Sequence, residues 1–380
     1  MTWPVLPAST VVAHVLGTTV VLDQGSGTLV RVDGIGAFIL DHRDDFADHR
    51  DAAIELSALL GADVEAVERD LRDLEELLDG LTSDEVALIH PEYGPVRFPP
   101  ATDAVVEHWS VDALGVAVEV RCHSPHLVEV IAPLLAAHPP ARSAPAHRFD
   151  IWEDAGITVT QDDRTMVHRV QIGRAVNMLI AGITVLAILA ERHALVLHAA
   201  AVIDDASAII LGGGSGAGKT STTVELVAGG LAFLTDEMVE LDPATGAVRG
   251  LARPIGLEGP ARTWRPELRP MWASGDLDRW PVPPGAVGAL AEQGRAAMFV
   301  HLEFVGDGTT VEVLDPLAAL GRLCGVTFNR RRLTAAVLVQ LAELLCQVPS
   351  VLVRHDGAPE AARAIVERWE GACGVERHRA

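Results

Sequence analysis

Four groups of residues in this chain have the types and spacing to do chemistry. The first is the run Gly213-Gly214-Ser215-Gly216-Ala217-Gly218-Lys219-Thr220, followed by Ser221. It satisfies G-x-x-x-x-G-K-[ST]. Glycines let the backbone turn so that successive N–H groups converge on phosphate oxygens. Lys219 is then expected at the β- and γ-phosphates of ATP and the Thr220 hydroxyl at a Mg²⁺ ion. The second and third are the adjacent acids Asp236 and Glu237. Paired carboxylates can divide a labour: one holds the metal, the other takes a proton from an acceptor hydroxyl. The fourth is His198, a single histidine in the apolar run from Ala194 to Val202.

The elements needed to position these groups are legible around them. Ala208-Ile209-Ile210-Leu211 reads as a strand entering the glycine loop, and residues 222–227 read as a helix leaving it. Strand, glycine loop and helix are the context that a P-loop requires. Leu231-Ala232-Phe233-Leu234-Thr235 reads as a buried strand ending at the two acids, with only one helix separating it from Lys219. The acids should therefore emerge beside the phosphates at the carboxyl edge of the sheet. His198 is expected on a strand just upstream of the loop.

Residues 198 to about 241 together resemble HPr kinase/phosphorylase and its relatives. In that family a histidine on a strand precedes the loop, and a buried strand ending in two acids follows the loop helix. The resemblance implies that one acid is the catalytic base and the other a Mg²⁺ ligand, with His198 supporting the base. Glu237 is assigned as base and Asp236 as ligand. The family pattern has Asp-Asp, so Glu237 is a departure and the division between the two acids stays open. Ser221 stands where the family usually has Glu. No R-x-G-L-G-type signature follows, so the resemblance does not extend to phosphorolysis or to HPr as the substrate.

The 380 residues allow two or three domains with a sizeable core. With 30 Lys+Arg against 52 Asp+Glu, the formal net charge is −22. That argues against nucleic acid or an anionic membrane as partner. The four cysteines are scattered without metal spacing, and no basic n-region followed by an apolar core opens the chain. Both features fit a reduced, cytoplasmic protein. The apolar run 175–190 is short for a membrane span and reads as a helix buried against a sheet.

Residues 4–81 form a unit of their own. Short strands are expected at 11–15, 18–22 and 28–32, with a turn at Asp23-Gln24-Gly25-Ser26-Gly27. Helices are expected at 35–40 and 52–60, and a third is capped by Asp63 with Val64, Val67, Leu71, Leu74 and Leu78 on one face. The mixed-charge run 42–51 reads as a solvated loop between helices. This order of strands and then helices resembles the PqqD-like peptide chaperones. The resemblance implies that a leader peptide adds a strand to the sheet edge.

Domain 1–82 is thus followed by a proline-rich linker at 83–100 and a kinase-like domain at 101–380. Within the latter, 101–192 is a sheet extension and 193–380 the P-loop core. His123 and His126 in the extension read as loop residues. Residues 259–295 have little periodicity and carry Arg262, Trp264, Arg265, Arg269, Trp272, Arg279 and Trp280. They form either a substrate lid or a disordered insertion. The expected fold is an α/β P-loop kinase domain of the HPr kinase-like type behind a PqqD-like, winged-helix-type α+β domain. The expected activity is ATP- and Mg²⁺-dependent phosphorylation of a Ser or Thr hydroxyl on a ribosomally made precursor peptide, by a protein that could self-associate. A small-molecule kinase with a structural N-terminal domain and a nucleotide-hydrolysing regulatory module are the alternatives.

Overall fold

The computed structural model describes residues 9–32, 104–190, 194–259, 261–270 and 279–373, with scattered helical positions between 37 and 72. The linker expected at 83–100, the charged run 42–51 and positions Leu74 and Leu78 lie outside the described residues. The chain divides into two compact units, Met1–Leu88 with Asp315–Gln347, and Ile89–Leu314 with Val348–Ala380.

The first unit opens with β1 (Thr10–Val15), β2 (Thr18–Asp23) and β3 (Thr28–Val32), an antiparallel meander in that order. Leu16 and Gly17 both have positive φ (51° and 76°), the backbone that a two-residue hairpin turn demands. Asp23 shapes the next turn. Its carboxylate accepts from the Gly25 and Ser26 N–H groups at 3.0 Å and from the Ser26 hydroxyl at 2.7 Å. Val67 and Leu71, one helical turn apart, are both buried as expected of a core face.

The second unit begins with a five-stranded sheet. Its strands β4 (Glu107–Ala113), β5 (Val116–Cys122), β6 (His147–Glu153), β7 (Ile157–Gln161) and β8 (Arg164–Val170) lie in sequence order. Only β5 and β6 pair in parallel, and helix α1 (Pro125–Leu135) makes the crossover that such a pair needs. Helix α2 (Ile172–Leu189) packs on β7 and β8. It is long and apolar enough to cross a membrane, but half of that window is buried in the protein. Leu179, Ile183 and Ala187 are among its buried side chains.

A nine-stranded sheet carries the glycine loop. Its strands are β9 (Leu195–His198), β10 (Ala200–Asp204), β11 (Ser207–Gly212), β12 (Ala232–Thr235), β13 (Met238–Leu241), β14 (Ala247–Gly250), β17 (Gln293–Phe304), β18 (Thr310–Val313) and β19 (Ser350–His355). The main path runs β12-β10-β11-β17-β14-β13-β9, with β19 pairing β17 and β18 pairing β19. A separate hairpin is formed by β15 (Ile255–Glu258) and β16 (Arg279–Val282). Helix α3 (Lys219–Ala228) follows the loop. It packs against the last helix, α6 (Ala358–Cys373). Val224 and Val227 meet Val300, Val351, Ile365 and Trp369 in one core. The apolar run 194–202, expected as one strand, is two. β9 pairs with β13, whereas β10 pairs with β11 and β12, and only Ala199 separates them. A continuous apolar run carries no mark of where it changes partners.

Between β18 and β19 the chain departs into α4 (Pro316–Gly325) and α5 (Ala335–Gln347). Asp315 caps α4 by accepting from the N–H groups of Leu317 and Ala318, with Pro316 at the first helical position. These helices belong to the first unit, where α4 meets β3 and α5 meets β1. The Gln24 amide donates to the Leu333 carbonyl at 3.2 Å, and the Arg330 guanidinium donates to the Gly25 carbonyl. From sequence, this stretch is expected in the P-loop core at 193–380, and the first domain is expected to end at 82. Amphipathic periodicity marks a buried face without naming the sheet that buries it.

Candidate functional site

Strand β11 ends at Gly212 and the loop then turns sharply. Gly213 has φ 145°, and a Cβ there would lie 2.7 Å from the Leu302 carbonyl oxygen. Only glycine lets the loop sit this close to β17. Gly218 is left-handed (φ 84°), and a Cβ there would lie 2.9 Å from the His355 ring. Helix α3 starts at Lys219, so the positive end of its dipole lies at the loop.

Lys219 is buried, with its ammonium donating to the carbonyls of Gly213 (2.8 Å) and Gly214 (3.1 Å). Burial pushes its pKa down, while the negative charges of Glu237 and Asp236 pull it back up. The Thr220 hydroxyl stands 3.4 Å from Asp236 Oδ2. Strand β12 delivers Asp236 there because it runs alongside β10, itself paired to β11. Thr235 locks the corner, its hydroxyl donating to the Leu251 carbonyl at 2.9 Å and accepting from the Met238 N–H at 3.3 Å.

The two acids occupy different environments. Asp236 is buried, and burial raises its pKa despite the opposing charge of Arg253. Its Oδ2 accepts from the Gly256 N–H at 3.3 Å, but its Oδ1 has no hydrogen-bond partner. Arg253 Nε lies 3.9 Å from that oxygen, and Arg253 Nη1 holds Glu237 Oε2 at 3.1 Å. The Glu237 side chain is 27% exposed. His198 Nε2 is 3.8 Å from Glu237 Oε1. Burial and then the charge of Lys219 lower the His198 pKa, favouring the neutral ring. A buried carboxylate whose Oδ2 lies near a threonine hydroxyl and whose Oδ1 has no hydrogen bond fits a hard divalent cation such as Mg²⁺.

Of the residues expected from sequence, Thr220 lies beside Asp236 and His198 near Glu237, and Lys219 is within the electrostatic reach of both acids. Two further residues were missed. Arg253 orients Glu237 and offsets the buried charge of Asp236. It sits in the run Arg253-Pro254-Ile255-Gly256, which has no motif around it. His355 closes β19, with Nε2 3.0 Å from the Ala217 carbonyl oxygen and Nδ1 3.1 Å from that of Gly357. It braces the loop from a strand far along the chain, and no local signal announces it.

Glu237 and Arg253 also line a cavity of about 730 Å³, together with Asn177 on α2 and Arg279 on β16. The stretch 259–295 is partly structured. β16 pairs with β15, and Arg265 binds Glu225 of α3 through two bonds of 2.8 and 3.1 Å. Arg262 and Arg269 stack over Trp280 at 5.2 and 5.9 Å. Positions 260 and 271–278 lie outside the described residues. His123 pairs with Asp150 at 3.0 Å, and His126 lies 3.4 Å from Glu153. Among the described residues no group of three or more His, Cys, Asp or Glu is placed to hold a metal.

The strand, glycine loop and helix, with the acid pair beside them, have the local arrangement of a P-loop site within mixed α/β sheets. No family model matches the chain, and no curated protein matches it. Among solved structures, the Hpr(Ser) kinase/phosphatase from Coxiella burnetii is similar to it. The identity is 12% and the TM-score 0.28, covering 47% of this chain and 99% of that one.

Proposed function

We propose that this protein is an ATP- and Mg²⁺-dependent kinase that phosphorylates a Ser or Thr hydroxyl of a ribosomally synthesised precursor peptide. The observation that carries the reading is the division between the two acids. Asp236 is buried beside Thr220, and Glu237 opens into a cavity large enough for a side chain and its neighbours. Two carboxylates in contrasting environments take contrasting roles.

In this reading the loop N–H groups and Lys219 bind and orient the polyphosphate. Thr220 and Asp236 would hold the Mg²⁺, which neutralises charge on the phosphates when bound. Glu237 Oε1, the oxygen not held by Arg253, accepts the proton of the acceptor hydroxyl. Arg253 fixes the carboxylate, and His198 beside it tunes its basicity. The freed alkoxide oxygen attacks the γ-phosphorus, and ADP leaves.

The first unit is proposed to bind the leader of the precursor. Among the described residues no strand pairs the outer edge of β1 or of β3, which supports addition of a peptide strand there. Incubation with labelled ATP and the neighbouring precursor peptide tests the whole reading. A mass gain of one phosphate on a peptide Ser or Thr is expected. Phosphate on small metabolites alone would move the protein to the small-molecule kinases, and release to water alone to the regulatory hydrolases.

A further inference from the structure

The cavity beside Glu237 contains none of the loop residues 213–221, so its lining belongs to the acceptor side of the site. One wall is a single stripe of α2 and its cap: Gln171, Arg174, Asn177, Met178, Ala181 and Val185. Their spacing of three and four residues places them on one helix face. The opposite face is buried, through Val176, Leu179, Ile183 and Ala187, with Val176 packed against Val130 and Leu134 of α1.

The charges in the cavity do not cancel. Arg253 is engaged by Glu237, and Arg279 by Glu258. Arg174 alone among the three arginines has no hydrogen bond or ion pair with any described residue. The Gln171 side chain makes no cap bond to its own helix, and Asn177 likewise has no partner among the described residues. An arginine, an amide and a second amide face the same space as the proposed base. Met178, Val185, Pro254 and Pro281 line the rest with apolar surface.

We infer that this cavity is an acceptor-binding pocket in which Arg174 pairs with a carboxylate lying next to the hydroxyl to be phosphorylated. Asn177 and Gln171 offer amide groups to the peptide backbone, and the apolar part holds a flanking aliphatic side chain. The guanidinium fork matches a carboxylate in two-point geometry, so the pair fixes register as well as adding affinity. The carboxylate can come from an Asp or Glu neighbour or from the end of a peptide chain. The inference rests on the kinase reading and deepens it.

The test uses the full chain and short serine peptides with all other residues uncharged. One carries Asp beside the serine, one Asn, and one Lys, each with an amidated end. A fourth ends at the serine with a free carboxylate, and a fifth is its amide. The wild type should show a KM for one carboxylate peptide lower by about tenfold or more than for its neutral partner, the usual scale of a charge-assisted bond. Whichever pair separates identifies the source of the carboxylate. Arg174→Gln should erase the preference without changing the KM for ATP, Arg174→Lys should keep part of it, and Arg174→Glu should favour the Lys peptide. Wild-type transfer to neutral and carboxylate peptides alike, or a preference that survives Arg174→Gln, would overturn the inference and leave the kinase reading intact. A raised KM for ATP in Arg174→Gln would overturn it too, by moving Arg174 to the nucleotide. Transfer to water but to no serine peptide would remove the kinase reading and the inference together.

Discussion

The P-loop centre draws its charged side chains from one stretch of chain, His198 to Arg253, together with a brace from His355. The first compact unit is assembled differently, with β1–β3 meeting helices from residues 315–347. The Gln24–Leu333 hydrogen bond joins positions 309 residues apart. The contrast teaches where each kind of specification lies. A phosphate cradle is a local backbone shape, set by glycines and a lysine in a short run. A sheet closed by distant helices depends on apolar faces finding each other, and any amphipathic helix could in principle serve.

The contrast can be broken most sharply at the local end. Lys219→Ala should reduce transfer to background and weaken ATP binding, with the melting temperature of the second unit little changed. Full activity in that variant, or activity indifferent to EDTA, would remove the P-loop assignment.

Next come the acids. Glu237→Gln should keep Mg·ATP binding and lose about 10²-fold or more in kcat, the scale of a missing general base. Asp236→Asn should lose metal-dependent nucleotide binding instead. If Asp236→Asn binds normally and fails only in transfer, the roles are reversed. This acid also has a stability signature. Burial holds its folded pKa above the ordinary 3.8, so in the interval between the two values the native state keeps a proton that the unfolded chain has released. Stability therefore falls as pH rises through that interval. Asp236→Asn should accordingly melt higher than the wild type at neutral pH, and the advantage should vanish in acid.

At the long-range end, Leu341 is buried on α5. Leu341→Ala should cost about 2–5 kcal/mol within the first unit. Hydrogen exchange should quicken in β1–β3 while the glycine loop keeps its protection. A fragment of residues 1–82 alone should fail to fold, because the helices at 315–347 are missing from it. A stable fragment, or uniform loosening of both units, would refute the division.

The smallest expected effect concerns acid stability of the second unit. His138 is buried with neither ring nitrogen hydrogen-bonded, and burial lowers its pKa to about 4. The unfolded chain takes up the proton near pH 6.5, the folded chain only near 4. Stability is thus lost as pH falls between those values, by up to about 3 kcal/mol. His138→Leu should flatten that slope in thermal melts between pH 7 and 4, and an unchanged slope would assign the loss to other groups.

The sequence by itself determined the loop, its strand and helix, the acid pair and His198, because each is a short-range pattern. Glycine spacing, one apolar run and a residue pair are enough to define them. It also determined the β1–β3 meander, through alternating strands separated by turn residues. It left open which acid is the more buried, since adjacent carboxylates differ only in what surrounds them. Burial beside Thr220 and Gly256 separated Asp236 from Glu237. Only the tertiary structure brought in Arg253 and His355, turned one stripe of α2 toward Glu237, split the run 194–202 between two sets of partners, and placed residues 315–347 against the N-terminal sheet. Each of these is a choice among distant partners, and side-chain periodicity fixes which face of an element is buried but not what buries it.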